Sequence, residues 1–597
     1  MTQRIFACLL AVLLPFLNAM PAAASAYDAH PKLVILLVID QFREDYLERY
    51  RSDFKDRGFR LFLDEGAYFP DCYFNYANTK TSPGHATLAT GAYTDGHGIS
   101  SNDWWDLTRN SQRPISSVED PRYFLVGPAD GAKREGSSPR NLLATTFGDE
   151  VRLDTNGAAH LYGVSLKDRA AILTSGLSAN GAFWIDERTG QYITSSYYMR
   201  ALPDWAVAFN NSGRANQART EAGVSASDPF FASVGPTAAG IRYELDFARA
   251  LIQGEKLGTN SVTDVLTISI SSTDILGHAV GPDSPLQREL VDQLDVSLDQ
   301  FFSWLDQTVP GGLKNVWIAL SADHGIAPVP DVAAQLGIPG TQVNLKKLIA
   351  SLNDAMNQQF SPGQTFPYML SHQQLPYLSL NEPIFERAGL NEQEAEHAVQ
   401  QALPAAFASL RIAQNPSSGA ADSTIHSSAV RLAPEPALFR SYTRRQLASK
   451  EPGLPPSEFG RLLAHSYTPN GGWYVMVIPD AFEIGAMAHG TNHYSPYSYD
   501  RHVPLGFYGS AFVPGIYPQR VEPVDLAATF AALLGVNQPS ASVGQVLTMA
   551  LHPEKQTPLP HKRNRAIIHA GHRSHHALPP HQNRRHPLES HTGNPLQ

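Results

Sequence analysis

Leu33-Val34-Ile35-Leu36-Leu37-Val38-Ile39 is an unbroken aliphatic and β-branched run that stops on a carboxylate, Asp40. A strand with one wet face alternates apolar and polar residues. One that is apolar at every position needs cover on both faces, as in the middle of a parallel sheet. Three further segments carry the same signature. Residues 159–166 (Ala-His-Leu-Tyr-Gly-Val-Ser-Leu) lead directly into Lys167-Asp168-Arg169. Val265-Leu266-Thr267-Ile268-Ser269-Ile270 leads through Ser271-Ser272-Thr273 to Asp274, and Val316-Trp317-Ile318-Ala319-Leu320 leads to Ser321-Ala322-Asp323-His324-Gly325. Helical spacing fills the gaps. Tyr46, Leu47, Tyr50 and Phe54 recur before a stop at Gly58, and Ser284-Pro285 opens a helix whose apolar face is Leu286, Leu290, Val291, Leu294, Leu298, Phe301 and Leu305. This alternation predicts an α/β fold: a doubly wound, mostly parallel sheet flanked by helices.

Residues 105–150 lack a clear period and read as a loop-rich insertion. Residues 326–470 break the rhythm with Pro-rich turns and helices around Asn344–Asn357 and Glu392–Ala402, and read as an inserted cap. The core is expected to resume at Gly472-Trp473-Tyr474-Val475-Met476-Val477-Ile478, to continue with a strand at Val503–Tyr508, and to close with a helix at Val524–Leu534.

Residues 1–26 have the pattern of a secretory leader: Arg4, an apolar run from Leu9 to Leu17, and Ala24-Ser25-Ala26 before the cut. The mature α/β domain then spans 27–552, and the His-, Arg- and Pro-rich residues 553–597 are expected to be a disordered tail. Of the two cysteines, Cys8 lies in the leader and Cys72 is left without an internal partner, so no disulfide is expected. The 597 residues with 43% apolar content suffice for a large core, and the net charge of −10 argues against nucleic acid or an anionic membrane as partner. Any phosphate site must be local. After leader cleavage no apolar run approaches the roughly 20 residues that span a bilayer, so a periplasmic or secreted monomer is expected.

The chemistry is concentrated in Asn78-Thr79-Lys80-Thr81-Ser82-Pro83-Gly84-His85-Ala86-Thr87, followed by Gly98-Ile99-Ser100-Ser101-Asn102-Asp103. Thr81 is placed to be a nucleophile at the start of a short helix, where free N–H groups favour an anion. A threonine hydroxyl is protonated at neutral pH, so a base or a metal must activate it. Asp40, Asp274 and Asp323 each follow a predicted buried strand, and the carboxyl ends of such strands lie side by side where ligands bind. Carboxylates gathered there repel one another, which implies a cation. With His278, His324 and His493 added and no thiolate, the donor set suits zinc better than manganese or iron.

In combination these motifs resemble the Thr-nucleophile members of the alkaline phosphatase superfamily. The likeness rests on Val38-Ile39-Asp40, Thr79-Lys80-Thr81 with Gly84-His85, His97-Gly98-Ile99 with Asn102, Ser272-Thr273-Asp274 with Gly277-His278, Ala322-Asp323-His324-Gly325, and Gly490-Thr491-Asn492-His493. It implies two zinc ions per chain, one held by Asp274, His278 and His493, the other by Asp40, Asp323 and His324 with Thr81 as a further ligand. It also implies a phosphothreonine intermediate, with Asn102 binding the substrate. Lys167-Asp168-Arg169 resembles the Lys-x-Arg pair of bacterial periplasmic alkaline phosphatases, in which Lys167 and Arg169 would bind the phosphoryl oxygens of a phosphate monoester. The alternative is a nucleotide pyrophosphatase/phosphodiesterase acting on diesters, which shares the metal ligands, the threonine and the asparagine. A sulfatase is disfavoured because threonine cannot be oxidised to the required aldehyde, and a non-catalytic zinc-stabilised binding protein because the whole catalytic set is present.

Overall fold

Leu33–Ile39 sits at the centre of an eleven-stranded sheet in the computed structural model. The structure describes residues 26–28, 30–109, 113–127, 134–338, 341–414, 440–485 and 489–553. Nearly all of the expected leader and tail lies outside the described residues. The spatial order of the strands is Gly515–Ile516, Ala67–Phe69, Leu505–Tyr508, Val316–Ser321, Leu33–Ile39, Asp264–Ile270, Leu161–Ser165, Gly181–Ile185, Tyr192–Ser195, Glu119–Val126 and Glu135–Ser137. The five strands from Val316–Ser321 to Gly181–Ile185 are parallel, and antiparallel pairings extend the sheet on both sides. Every residue of Leu33–Ile39 is buried, as its unbroken apolar run requires.

Register brings the strand ends together. Val38 pairs with Ser269 on one side and Ser321 on the other, and Ser269 pairs with Ser165. Two residues further on, these chains reach Asp40, Ser271, Asp323 and Lys167 at one edge. The helix Pro285–Thr308 starts on the Ser284 cap and lays Leu290, Val291, Leu294, Leu298, Phe301 and Leu305 on the core. Val524–Leu534 is helical with the expected bounds.

Two expectations need correction. Residues 105–150 contribute strands Glu119–Val126 and Glu135–Ser137 to the edge of the large sheet, and a helix, Phe147–Asp154. Much of Glu119–Val126 is solvent-exposed and Pro121 interrupts it, so no apolar period marks it as a strand. The run at 472–478 does not rejoin the large sheet. Tyr474–Ile478 is the middle strand of a separate antiparallel sheet, between Tyr377–Ser379 and Arg440–Thr443. It is also buried on both faces, which is why its sequence looks like a core strand. One face packs on the helices Leu345–Phe360 and Glu392–Gln414 through Val475 and Val477, and the other presents Tyr474 and Met476 to a cluster that includes Ala77, just before the Thr81 segment.

The central strand should therefore carry more stability than the sheet edge. Ile35→Ala, which empties a fully buried position, is expected to cost about 2–5 kcal/mol, whereas Ile516→Ser, at a half-exposed edge position, should cost about 0.5 kcal/mol or less. Thermal unfolding midpoints of the two variants against wild type check this; equal shifts would contradict it.

Candidate active site

Asp40 follows the central strand, and the next residue, Gln41, takes the left-handed conformation at φ 62°. That conformation is costly for a side chain with a Cβ and persists where the surroundings impose it. Here the Gln41 N–H donates to Asp323 Oδ1 at 3.0 Å and its Nε2 donates to Asp274 Oδ1 at 2.7 Å. Thr273 Oγ1 donates to the Asp40 carbonyl at 2.5 Å. The helix Ser272–Val280 puts Asp274 and His278 one turn apart on one face, with His278 Nε2 3.2 Å from Asp274 Oδ1.

Three histidines face the carboxylates in a common manner. Each hands its Nδ1 proton to a backbone carbonyl, which can only accept: His278 to Thr491 at 2.9 Å, His324 to Gly325 at 2.9 Å and His493 to Thr79 at 2.7 Å. The Nε2 lone pairs are thereby turned toward Asp40, Asp274 and Asp323. Burial holds His324 and His493 below the usual imidazole range, and the neighbouring histidines push His493 further down, whereas at His278 the Asp274 carboxylate outweighs burial and raises the pKa. His324 and His493 stack at 3.5 Å between ring centroids.

Two groups of side chains here can hold a metal ion: Asp40, Asp323 and His324, and Asp274, His324 and His493. His324 belongs to both. His278, expected as a ligand beside Asp274 and His493, stands at the outer side of the second group. The donor atoms fit a cation. Asp40 Oδ1 and Asp323 Oδ2 are buried without a hydrogen bond, and an unpaired buried carboxylate oxygen is expensive. Burial and the charge of Asp40 raise the Asp323 carboxyl above the usual range. Asp274 goes the other way: burial would raise it, but Lys167 and His278 hold it well below.

Thr81 is the first residue of the helix Thr81–Thr90, preceded by Lys80 in extended conformation, and its Oγ1 lies 3.5 Å from His324 Nε2. Asn102 Oδ1 accepts the Ser82 N–H at 2.9 Å, which leaves the Asn102 amide protons as donors beside Thr81. His85, one turn on, donates from Nδ1 to the Thr81 carbonyl at 2.8 Å, meets the Ser269 hydroxyl through Nε2 at 2.7 Å and stands 3.2 Å from Asp323 Oδ2. Gly84 makes this packing possible: a Cβ there would fall 2.2 Å from the Asp323 carbonyl oxygen.

Lys167 lies inside the cluster, with Nζ 2.6 Å from Asp40 Oδ2 and 2.5 Å from Asp274 Oδ2. Burial alone would lower its pKa, but the two carboxylates outweigh that and raise it. Arg169 lies at the rim, its N–H on Asp168 Oδ1 at 2.6 Å. Lys80 is a further buried cation, pushed down to about 8 by burial, with Nζ 5.6 Å from the Tyr494 ring centre.

With this geometry in hand, comparison with known proteins is informative. A family model for type I phosphodiesterase / nucleotide pyrophosphatase matches residues 34–406. The chain belongs to this family, within the alkaline phosphatase superfamily. The phosphodiesterase-family chain is 31% identical to alkaline phosphatase PhoV of Synechococcus elongatus, over 87% of its own length and 93% of that protein. It is 29% identical to alkaline phosphatase PafA of Elizabethkingia meningoseptica, over 87% and 94%. A crystal structure of wild-type PafA superposes with a TM-score of 0.74 at 27% identity, covering 87% of this chain and 99% of that one. A PafA variant of similar likeness carries substitutions of a threonine, an asparagine, a lysine and an arginine. These are the residue types of Thr81, Asn102, Lys167 and Arg169, in the same chain order.

The sequence motifs placed Gly84, His85 and Gly277 near the site but assigned them no task, and Gln41 went unnoticed. Its only signal was a polar residue directly after a strand-end aspartate. Gly277 is needed because a Cβ there would lie 1.9 Å from Gln41 Oε1. Gly277→Ala should therefore displace Gln41, loosen Asp274 and weaken metal binding about 10- to 100-fold with little change in thermal stability. Zinc titration by calorimetry checks this; unchanged affinity would show that Gln41 does not orient Asp274.

Proposed function

We propose that this chain is a zinc-dependent alkaline phosphatase that hydrolyses small phosphate monoesters through a phosphothreonine at Thr81. The observation that carries the reading is that Thr81, Asn102 and Lys167 meet at two groups of metal-capable side chains. Asp274, His278 and His493 would hold one zinc, and Asp40, Asp323 and His324, with Thr81, the other. When bound, the two ions supply a lowered hydroxyl pKa and charge stabilisation at the leaving oxygen.

The Thr81 Oγ–phosphorus bond forms as the bond from phosphorus to the alcohol oxygen breaks, and the alcohol leaves with a proton. Water then attacks the phosphothreonine, releasing phosphate and restoring the hydroxyl. The Asn102 amide and the Lys167 and Arg169 cations hold the non-bridging oxygens while charge develops on them. Lys167 has two claimants. Its ammonium lies between Asp40 and Asp274, and zinc held by those carboxylates would leave it free to bind the phosphoryl group. Place of action is expected to be the periplasm or the exterior, a reading supported by the leader pattern in residues 1–26, and no described helix is long and apolar enough to cross a membrane.

A second reading, hydrolysis of phosphodiesters, is favoured by the description of the matching family model. The charge of the substrate separates the two. A monoester carries a second negative charge that a diester lacks, and Lys167 and Arg169 suit it. Wild type should prefer p-nitrophenyl phosphate to its bis-ester. Replacing Lys167 and Arg169 together by Ala should cut kcat/KM on the monoester by roughly 10- to 150-fold per lost contact and on the diester much less. Equal losses would assign the pair a general role, and a wild-type preference for the diester would favour the second reading.

Metal and nucleophile are tested separately. Chelation should abolish turnover and zinc restore it; a fully active sample free of transition metal by elemental analysis would overturn the zinc assignment. Thr81→Ala should lose several orders of magnitude in kcat while retaining zinc, and Thr81→Ser should keep part of the activity. Acid quenching during turnover should leave phosphate on Thr81, and label elsewhere would refute the intermediate.

A further inference from the structure

The ligand edge of the large sheet does not end at Lys167. Val164 pairs with Phe183 in parallel register, so the strand Gly181–Ile185 ends beside the turn that carries Lys167 and Arg169, and leads to Asp186, Glu187 and Arg188. Between the two strand ends opens a pocket of about 470 Å³, lined by Lys167 and Arg169 on one chain and by Asp186, Glu187 and Arg188 on the other. Small-molecule sites typically measure roughly 300–1,000 Å³, so the space is ample for a ligand group. The buried side chains Leu166, Trp184, Ile185 and Ile193 complete its wall and give the charges around it an apolar backing.

These charges are unequally engaged. Asp186 is committed within the protein: Oδ2 accepts from the Arg134 guanidinium at 3.0 Å, and Oδ1 accepts the N–H and the hydroxyl of Thr189, each at 3.0 Å. Arg169 Nη1 stands 3.8 Å from Asp168 Oδ1, too far for a hydrogen bond, and Arg169 Nε is buried without a partner. The exposed Arg188 guanidinium makes no hydrogen bond or ion pair with any described residue, yet its backbone is held firmly. The Arg188 carbonyl accepts from the Phe230 N–H at 3.1 Å and from the buried Arg219 guanidinium at 2.9 Å, and the Glu187 carbonyl accepts the Phe231 N–H at 2.8 Å. A turn fixed at its backbone, with its cation left open toward a pocket, lowers the ordering cost of an anion that docks there. Glu187, exposed at the mouth, is the opposing charge.

We propose that this pocket is a second anion subsite, and that the chain takes small substrates bearing two phosphate groups, one transferred beside Lys167 and Arg169 and the other held by Arg188. The proposal rests on the phosphatase reading above. The second phosphate is bound and not cleaved: it stays on the alcohol that leaves when the first phosphorus–oxygen bond breaks. Arg188 suits it as a planar, permanently charged donor to phosphate oxygens.

The test compares fructose 1,6-bisphosphate with fructose 6-phosphate on the zinc-loaded full chain. Arg188→Ala should lower kcat/KM for the bisphosphate about tenfold and leave that for the monophosphate within about twofold. Glu187→Gln, which removes the opposing charge, should act in the other direction and raise kcat/KM for the bisphosphate alone by about two- to threefold. Both positions are exposed, so the fold is retained. Equal changes on the two esters, or no change on either, would overturn the subsite. Butane-1,4-bisphosphonate, which cannot be hydrolysed, supplies a readout independent of turnover: in calorimetric titration it should bind wild type about tenfold more tightly than Arg188→Ala, with butylphosphonate bound equally by both. Such discrimination without hydrolysis of either ester would sustain the subsite and overturn the phosphatase reading. Hydrolysis of both esters, with bisphosphonate affinity unchanged by Arg188→Ala, would sustain the phosphatase and overturn the subsite.

Discussion

Three carboxylates, Asp40, Asp274 and Asp323, are buried at the ends of adjacent parallel strands, and the rest of the site answers the repulsion among them. Two like charges about 4 Å apart at an effective dielectric constant near 20 repel by roughly 4 kcal/mol, so carboxylates buried together persist only with positive charge close by. Lys167 is the cation in direct contact with them, and it reaches two of the three. The third, Asp323, is left with a raised pKa, its Oδ2 facing the rings of His85 and His324 at 3.2 and 3.3 Å. A cation held by these side chains would resolve this asymmetry.

Orientation comes from the backbone more than from side chains. The histidine rings are set by carbonyls of Thr79, Gly325 and Thr491, which belong to the loops that carry the other functional residues. Thr79 lies two residues before Thr81, so the turn that positions Thr81 also fixes the His493 ring. Gln41, held in a costly conformation, joins Asp323 to Asp274 and so couples the two metal-capable groups. The site is accordingly a property of the sheet edge as a whole.

The small cap sheet adds a second layer of control. Its hydrophobic face closes on its own helices, while the opposite face and its loops reach Ala77 and the Asn102 turn. The metal-capable groups thus sit at the end of the large sheet, and the cap stands beside the Asn102 turn. The likeness to PhoV and PafA, at 31% and 29% identity, extends over 87% of the chain and so takes in both layers.

Local physics made much of this legible in the sequence. A fully apolar strand such as Leu33–Ile39 announces a place covered on both faces, which the middle of a parallel sheet provides, and strand-end aspartates announce a ligand edge. The Thr81 helix, the helix Pro285–Thr308 and the gathering of Asp40, Asp274, Asp323, His324 and His493 follow from such signals. Only the tertiary structure decided three matters. Strand Tyr474–Ile478 is as apolar as a core strand, and its partners come from residues 377–379 and 440–443, so its sheet membership depends on long-range pairing. The edge strand Glu119–Val126 is mostly wet and carries no hydrophobic period. Gln41, His85 and Gly277 acquire their tasks only where separate strand ends meet, because a bridge between Asp274 and Asp323 is set by distances across the sheet, which residue order along the chain does not encode.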